Sequence, residues 1–359
     1  MLKIVNIYTR GMVSANSLGF LIPIIKNRKN IENLGVKVNI FQRFTKKLFE
    51  CDTLVFESKV FKYSWGEKEL QKTKDFFYFV RENVKKLIFV DLSDSSSFVI
   101  NEALELVDNY FKNQIYKNKN LYFKQFYGRR IFSHFYHKKM SVIDEKPEKY
   151  LTVKKKNLRK IKLSWNSCFS NYSYYGSWFQ KLYKILPLNF LLNYPIYEKT
   201  KLSKSSDISC RMNTNYSKNS IAFQRKQIKK MFSDKFNSSR LSRYKYYEEL
   251  KNSKILISPF GYGEINLKDF EGFLYKCLVF KPNMDHLDTW PNLYIKDQTY
   301  IDFKWNLADV RLKIEEILSQ PKKIKHITEN AYENYLNYLN SSEKNIEFSR
   351  RFVSIFIGR

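Results

Sequence analysis

Short apolar runs alternate along the chain with longer stretches that are apolar on one face only. LKIVNIYT (2–9) is apolar, ends in Arg-Gly and reads as a first strand. SLGFLIPIIKNRKNIENLG (17–35) has helical spacing and a glycine stop. VKVNIF (36–41), CDTLVFES (51–58) and LIFVDLSD (87–94) read as strands, with a helix over 67–86 before the last of them. A polar, proline-bearing stretch at 142–160 reads as a linker. Beyond it the alternation resumes. IKLSWNSC (161–168), DISCRMN (207–213), KILIS (254–258) and CLVFKP (277–282) are strand-like, 220–232 and 243–253 are helical, and the tail from 307 is helical. Strand and helix in alternation predict parallel sheets with helices on their faces. The expected fold class is therefore α/β, with two Rossmann-like domains facing across a cleft. The expected domains are 1–150, 151–325 and a helical tail, 326–359, that packs back on the first. Ligands of such sheets sit at the carboxyl ends of the strands. That makes Arg10, Gly11, Ser58 and the 91–97 stretch, with Asp91 and Asp94, the cleft-facing candidates of the first half.

The densest chemistry lies at 258–294, SPFGYGEINLKDFEGFLYKCLVFKPNMDHLDTWPNLY. Gly261 and Gly263 flank Tyr262 in a tight loop between a buried strand and a helix expected to start near residues 264–265. Glycine lets backbone approach a ligand closely, and the free N–H groups of a helix start attract an anion such as a diphosphate. Within the helix, Leu267, Phe270, Leu274 and Cys277 share a face suited to packing on the sheet. Glu264, Lys268, Glu271 and Tyr275 share another. If that second face borders the cleft, Lys268 contacts phosphate, Glu271 accepts from ribose hydroxyls, and Glu264 lies near a transferred sugar. The plainer alternatives are a helix-cap charge at Glu264 and an ordinary surface pair between Lys268 and Glu271. The next loop brings Asp285, His286 and Asp288 to the same edge, where His286 suits a phosphate or sugar hydroxyl.

Other positions add to this picture. Arg211 and Arg225 contribute positive charge on the phosphate side. Asp91 or Asp94 suits a general base on an acceptor hydroxyl in an inverting reaction, or equally a helix cap. Arg129, in YGRR, suits an anionic acceptor or a solvated turn. His134 and His137 have the i, i+3 spacing of half a metal site, but no Asp, Glu or Cys nearby completes it, so no metal is expected. The absence of Gly-x-Ser-x-Gly and of a P-loop argues against a serine hydrolase and a P-loop NTPase.

Composition changes the picture in one respect. The formal net charge of the 359 residues is +29, which invites an anionic partner. Much of it accompanies a general abundance of Lys, Asn, Ile, Tyr and Phe, residues written with AT-rich codons, so attraction to an anionic membrane surface is a better expectation than specific nucleic-acid binding. Cys51, Cys168, Cys210 and Cys277 are widely spaced, which suggests neither a zinc ribbon nor a disulfide framework. Without a run of roughly 20 apolar residues or a signal-peptide pattern, the expected location is cytoplasmic, at most peripheral to a membrane.

The string SPFGYGE…KDFEGFLYKCLVFKPNMDHLDTWPNLY resembles the C-terminal domain of GT-B glycosyltransferases from bacterial surface-polysaccharide clusters, of the group-1 and exostosin-like types. The resemblance is most specific over 258–300 and weaker over 240–258 and 90–130. It implies that the second domain holds a nucleotide-sugar donor, that the first holds a glycan or lipid-linked acceptor, that Glu264 contacts donor sugar or phosphate, and that Glu271 binds ribose. Retaining members often carry two glutamates with seven residues between them, whereas Glu264 and Glu271 have six, so retention does not follow. The function expected is metal-independent, cofactor-free sugar transfer from a nucleotide sugar, with Gly261, Tyr262, Gly263, Glu264, Lys268, Glu271, His286 and Arg211 on the donor and Arg10, Gly11, Asp94 and Arg129 toward the acceptor. The alternative is a non-catalytic basic protein that binds nucleic acid or an anionic membrane.

Overall fold

A computed structural model of the chain describes residues 2–148, 151–172, 204–233 and 239–358, with Gly176, Leu182 and Leu192 between them. Strands β1 (Lys3–Tyr8), β2 (Val36–Phe41), β3 (Thr53–Glu57), β4 (Leu87–Asp91), β5 (Asn109–Lys112), β6 (Gln114–Tyr116) and β7 (Ile161–Leu163) come first in the chain. All but β6 form one parallel sheet in the order β2-β1-β3-β4-β5-β7. Every residue of β3 and β4 is buried, the pattern of parallel strands covered on both faces by helices. Helices α1 (Ala15–Lys26), α2 (Arg28–Asn33), α3 (Glu67–Asn83), α4 (Asn101–Leu106) and α5 (Ile131–Met140) accompany this sheet. Ser14 starts α1 by accepting a hydrogen bond from the Ser17 N–H, satisfying one of the donors a helix start leaves open.

The segment at 161–163 does not open the second half as its pattern suggested. It pairs with β5, Tyr110 opposite Ile161, and closes the edge of the first sheet. Three residues after a basic run carry no signal of which sheet they join; the unpaired edge of β5 decides it.

The second sheet is parallel too. Strands β8 (Ser206–Ser209), β9 (Ser253–Ile257), β10 (Leu278–Pro282) and β12 (Ile301–Phe303) lie in the order β12-β10-β9-β8. Between β10 and β12, β11 (Leu287–Thr289) leaves this sheet and pairs antiparallel with β6 of the other half. Helices α6 (Asn219–Met231), α7 (Arg243–Asn252), α8 (Leu267–Leu274), α9 (Val310–Leu318), α10 (Pro321–Asn340) and α11 (Ser342–Phe356) accompany this sheet and the chain's end. The result is two Rossmann-like domains with the carboxyl ends of their strands facing a common cleft, the GT-B arrangement.

The domains are docked as well as tethered. One apolar cluster runs from Val5, Ile88 and Trp165 in the first domain to Phe270, Phe273 and Tyr335 in the second. Helix α11 lies back on the first domain, where the carbonyl of Phe356 accepts from Thr53 Oγ1 and Lys86 Nζ, both at 3.0 Å. Trp165 stacks on Phe20 and meets Phe348 edge-on, with ring centroids 5.3 and 4.9 Å away. Buried aromatic area of this kind is the main adhesive between packed layers.

Candidate functional site

The loop from Ser258 to Asn266 carries the second domain's contribution. Strand β9 ends at Ile257 and α8 starts at Leu267 with Asn266 as its N-cap, two residues later than the sequence suggested. Asp269 explains the shift. Its carboxylate accepts from the Asn266 N–H at 3.1 Å, from Lys281 Nζ at 2.6 Å and from the Tyr294 hydroxyl at 2.8 Å. A capping acid paired with a buried lysine fixes the helix start. Glu264 is thereby left in the loop, off the helix.

Gly263 is where the loop touches the first domain. A Cβ there would lie 1.7 Å from the carbonyl oxygen of Asp94, so only glycine permits this approach. Gly263→Ala is expected to force the Asp94 loop away, lower stability by about 1–3 kcal/mol, and widen the cleft; denaturant unfolding checks the first and nucleotide affinity the second.

Between the two domains lies a cavity of about 450 Å³. Gly261, Tyr262, Asn266, Lys268 and Arg225 line it from the second domain, and Ser14, Asn16, Lys59 and Asp94 from the first. These residues follow β9, β1, β3 and β4, so the cavity sits at the carboxyl edge of both sheets, including the point beside β1 where strand order reverses. Lys268, half-buried in the first turn of α8, donates to the Arg211 carbonyl. Burial, reinforced by the neighbouring Arg225 cation, lowers its pKa to about 8. Arg225 is buried beneath the loop, its Nε donating to the Phe260 carbonyl at 2.7 Å and its Nη2 to that of Pro259 at 3.3 Å. Opposite them Asp94 is exposed, with Oδ1 accepting from Asn16 Nδ2 at 2.7 Å. It is the one carboxylate lining this cavity among the described residues. One wall thus presents two cations and a helix start, and the other an ionisable acid.

Several expected site residues are placed elsewhere. Glu264 is fully buried against the first domain, accepting from the Ser96 N–H at 3.0 Å, the Ser96 hydroxyl at 2.5 Å and Gln114 Nε2 at 3.0 Å. Burial works against its charge, but His286 and Ser96 outweigh it and hold the carboxyl below its ordinary value. His286 turns its ring toward Glu264, Nε2 to Oε1 3.6 Å, and packs edge-on against Trp305; it does not line the cavity. Both therefore join the domains and do not face the cavity. Glu271, one turn beyond Lys268, is covered by α7. Its carboxylate lies 3.4 Å from the Tyr247 hydroxyl and 4.0 Å from Arg243, and burial raises its pKa to about 7. Helical spacing identified the shared face of Lys268 and Glu271 but not the helix that covers its far end. The Arg211 guanidinium is held by Glu249 at 2.6 Å, and Arg225 takes the position by the loop.

Asp91 is a structural acid. It is buried and accepts from Lys112 Nζ at 2.8 Å, the Tyr110 hydroxyl at 2.7 Å and the Ser93 N–H at 2.9 Å. Burial alone would raise its pKa, yet the Lys112 ammonium and these donors hold it below the usual carboxylate range, so it is a poor general base. Asp91→Ala leaves Lys112 charged and buried alone and is expected to cost about 3–5 kcal/mol, measurable by chemical denaturation. Arg10 is exposed at the end of β1. Gly11, at φ +78°, turns the chain beside Gln42. Neither lines the cavity, whereas Arg129 lines a neighbouring one. Ser14, Asn16 and Lys59 went unread in the sequence; the helix-capping serine after β1 was the available signal.

Among the described residues no cluster of three or more His, Cys, Asp or Glu side chains is placed to hold a metal ion, and no helix is long and apolar enough to cross a membrane. No protein-family model matches the chain, and no curated protein matches it. Solved structures overlap it at low identity. A glycosyltransferase from Rickettsia africae ESF-5 aligns over 99% of this chain and 97% of its own, with 11% identity and a TM-score of 0.46. An α-glucosyltransferase in complex with UDP and a 13-mer DNA aligns over 98% and 100%, with 11% identity and a TM-score of 0.41. Anabaena HepE in complex with UDP-glucose aligns over 98% and 100%, with 9% identity and a TM-score of 0.42. Overlaps at these scores decide neither activity nor substrate.

Proposed function

We propose that the protein is a glycosyltransferase that moves a sugar from a nucleotide-sugar donor to a hydroxyl of a glycan or lipid-linked glycan. The observation that carries this reading is the composition of one cavity: Lys268, Arg225 and the start of α8 on one wall, Asp94 on the other. The donor's phosphates meet the first wall. The acceptor hydroxyl loses its proton to Asp94 as its oxygen bonds to the anomeric carbon, and the bond from that carbon to the phosphate oxygen breaks. Negative charge develops on the departing phosphate, where the Lys268 and Arg225 cations stabilise it most. With those groups in that role the leaving phosphate needs no divalent ion. The net charge of +29 supports residence at the cytoplasmic face of an anionic membrane, where a lipid-linked acceptor would be met.

The test is incubation with UDP-, GDP- and CMP-sugars and a mixture of saccharide acceptors, with and without a chelator. The expected result is consumption of one donor with release of its nucleotide, undiminished by the chelator. Consumption of none, together with DNA binding that collapses as salt rises, would instead identify a basic binding protein.

A further inference from the structure

A second cavity, of about 400 Å³, adjoins the cleft at the ends of β3 and β4. Phe61, Trp65 and Phe98 supply its apolar walls, and Lys59, Lys62 and Arg129 its cations. The carboxylates among its lining are Glu102 and Asp91, and Asp91 is already neutralised by Lys112. The Arg129 guanidinium carbon lies 4.0 Å from the Phe98 ring centroid, a cation–π contact at the cavity wall. The indole N–H of Trp65 is buried without a hydrogen-bond partner among the described residues.

We propose that this cavity binds an anionic saccharide, its ring against Trp65 and Phe98 and its phosphate or carboxylate at Lys62 and Arg129, as the acceptor of the transfer reaction. The proposal rests on the reading of the interdomain cavity as the transfer site and names its acceptor class. Aromatic walls suit the apolar face of a sugar ring, and a surplus of cations selects its charged substituent. The two cavities share a lining residue. Lys59 belongs to both, and Ser93 of one precedes Asp94 of the other. A saccharide anchored at Lys62 therefore extends past Lys59 and presents a hydroxyl to Asp94.

The experiment is calorimetric titration of the full chain with glucose 1-phosphate, glucuronate and glucose, repeated on Lys62→Glu, Trp65→Phe and Lys268→Ala. Lys62 is exposed, so its replacement leaves the fold intact. Both anions are expected to bind about tenfold more tightly than glucose, the effect of one charge-assisted hydrogen bond. Lys62→Glu removes that preference, Trp65→Phe weakens all three sugars, and Lys268→Ala changes nothing. A preference for glucose 1-phosphate alone assigns the site to sugar phosphates such as lipid-linked ones; equal binding of both anions assigns it to acidic sugars in general. Equal binding of glucose, or loss of anion binding in Lys268→Ala but not Lys62→Glu, overturns the proposal. Nucleotide binding is read separately, so a failure here leaves the donor cavity standing, and a failure there is visible as such.

Discussion

Lys268→Ala is expected to reduce stabilisation of the protein by its nucleoside diphosphate by about 1.5–3 kcal/mol. A ligand that binds only the folded chain raises its melting temperature in proportion to the logarithm of its affinity. Lys268 lines the interdomain cavity within the first turn of α8, where its charge acts on the phosphate. Removing a charge-assisted contact costs about 1.5–3 kcal/mol, or roughly ten- to a hundredfold in Kd. The pH dependence gives a second signature. Burial lowers the Lys268 pKa to about 8, so the free lysine is charged below that pH and neutral above it. An anion is held by the charged form, so affinity falls as pH rises through about 8, and titrations at pH 6.5, 7.5, 8.5 and 9.5 would trace it. In Lys268→Ala that fall disappears. The folded protein itself moves the other way. Its depressed pKa means the lysine penalises folding while charged, and the penalty is relieved between about 8 and the ordinary value of 10.5.

Asp94→Asn separates chemistry from binding. The carboxylate is exposed in the cavity and held by one side-chain donor, Asn16 Nδ2 at 2.7 Å, so it keeps lone pairs for an acceptor hydroxyl. General-base catalysis contributes typically about 10²–10⁴-fold. Asp94→Asn is therefore expected to lower kcat by about that factor while nucleotide stabilisation stays at the wild-type level. The substitution is isosteric, and the contact between Gly263 and the Asp94 carbonyl is untouched because it involves backbone. A kcat within a few-fold of wild type would remove Asp94 from the reaction and leave the leaving phosphate to take the proton.

The sequence made the architecture legible because parallel strands buried on both faces are continuous apolar runs. TLVFE of β3 and LIFVD of β4 are of this kind. It also placed Gly261 and Gly263 in a loop after a buried strand and Lys268 in the helix that follows, features that depend on neighbours close in the chain. What it did not show were the partners of three acids, which are remote in the chain. Glu264 is held by Ser96, 168 residues away, Asp91 by Lys112, 21 away, and Glu271 by Tyr247, 24 away. A helical period says which residues share a face. It is silent on whether cleft, sheet or another helix covers that face, and α7 covers Glu271. The same limit applies to Arg211, which Glu249 holds at 2.6 Å.

The most direct measurement is calorimetric titration of wild type and Lys268→Ala with UDP, GDP, ADP and CMP at pH 7. The cavity lined by Lys268, Arg225 and the loop glycines predicts one nucleotide bound per chain by the wild type and at least tenfold weaker binding by the variant. Heats indistinguishable from dilution for every nucleotide, or equal affinity in both proteins, would contradict it.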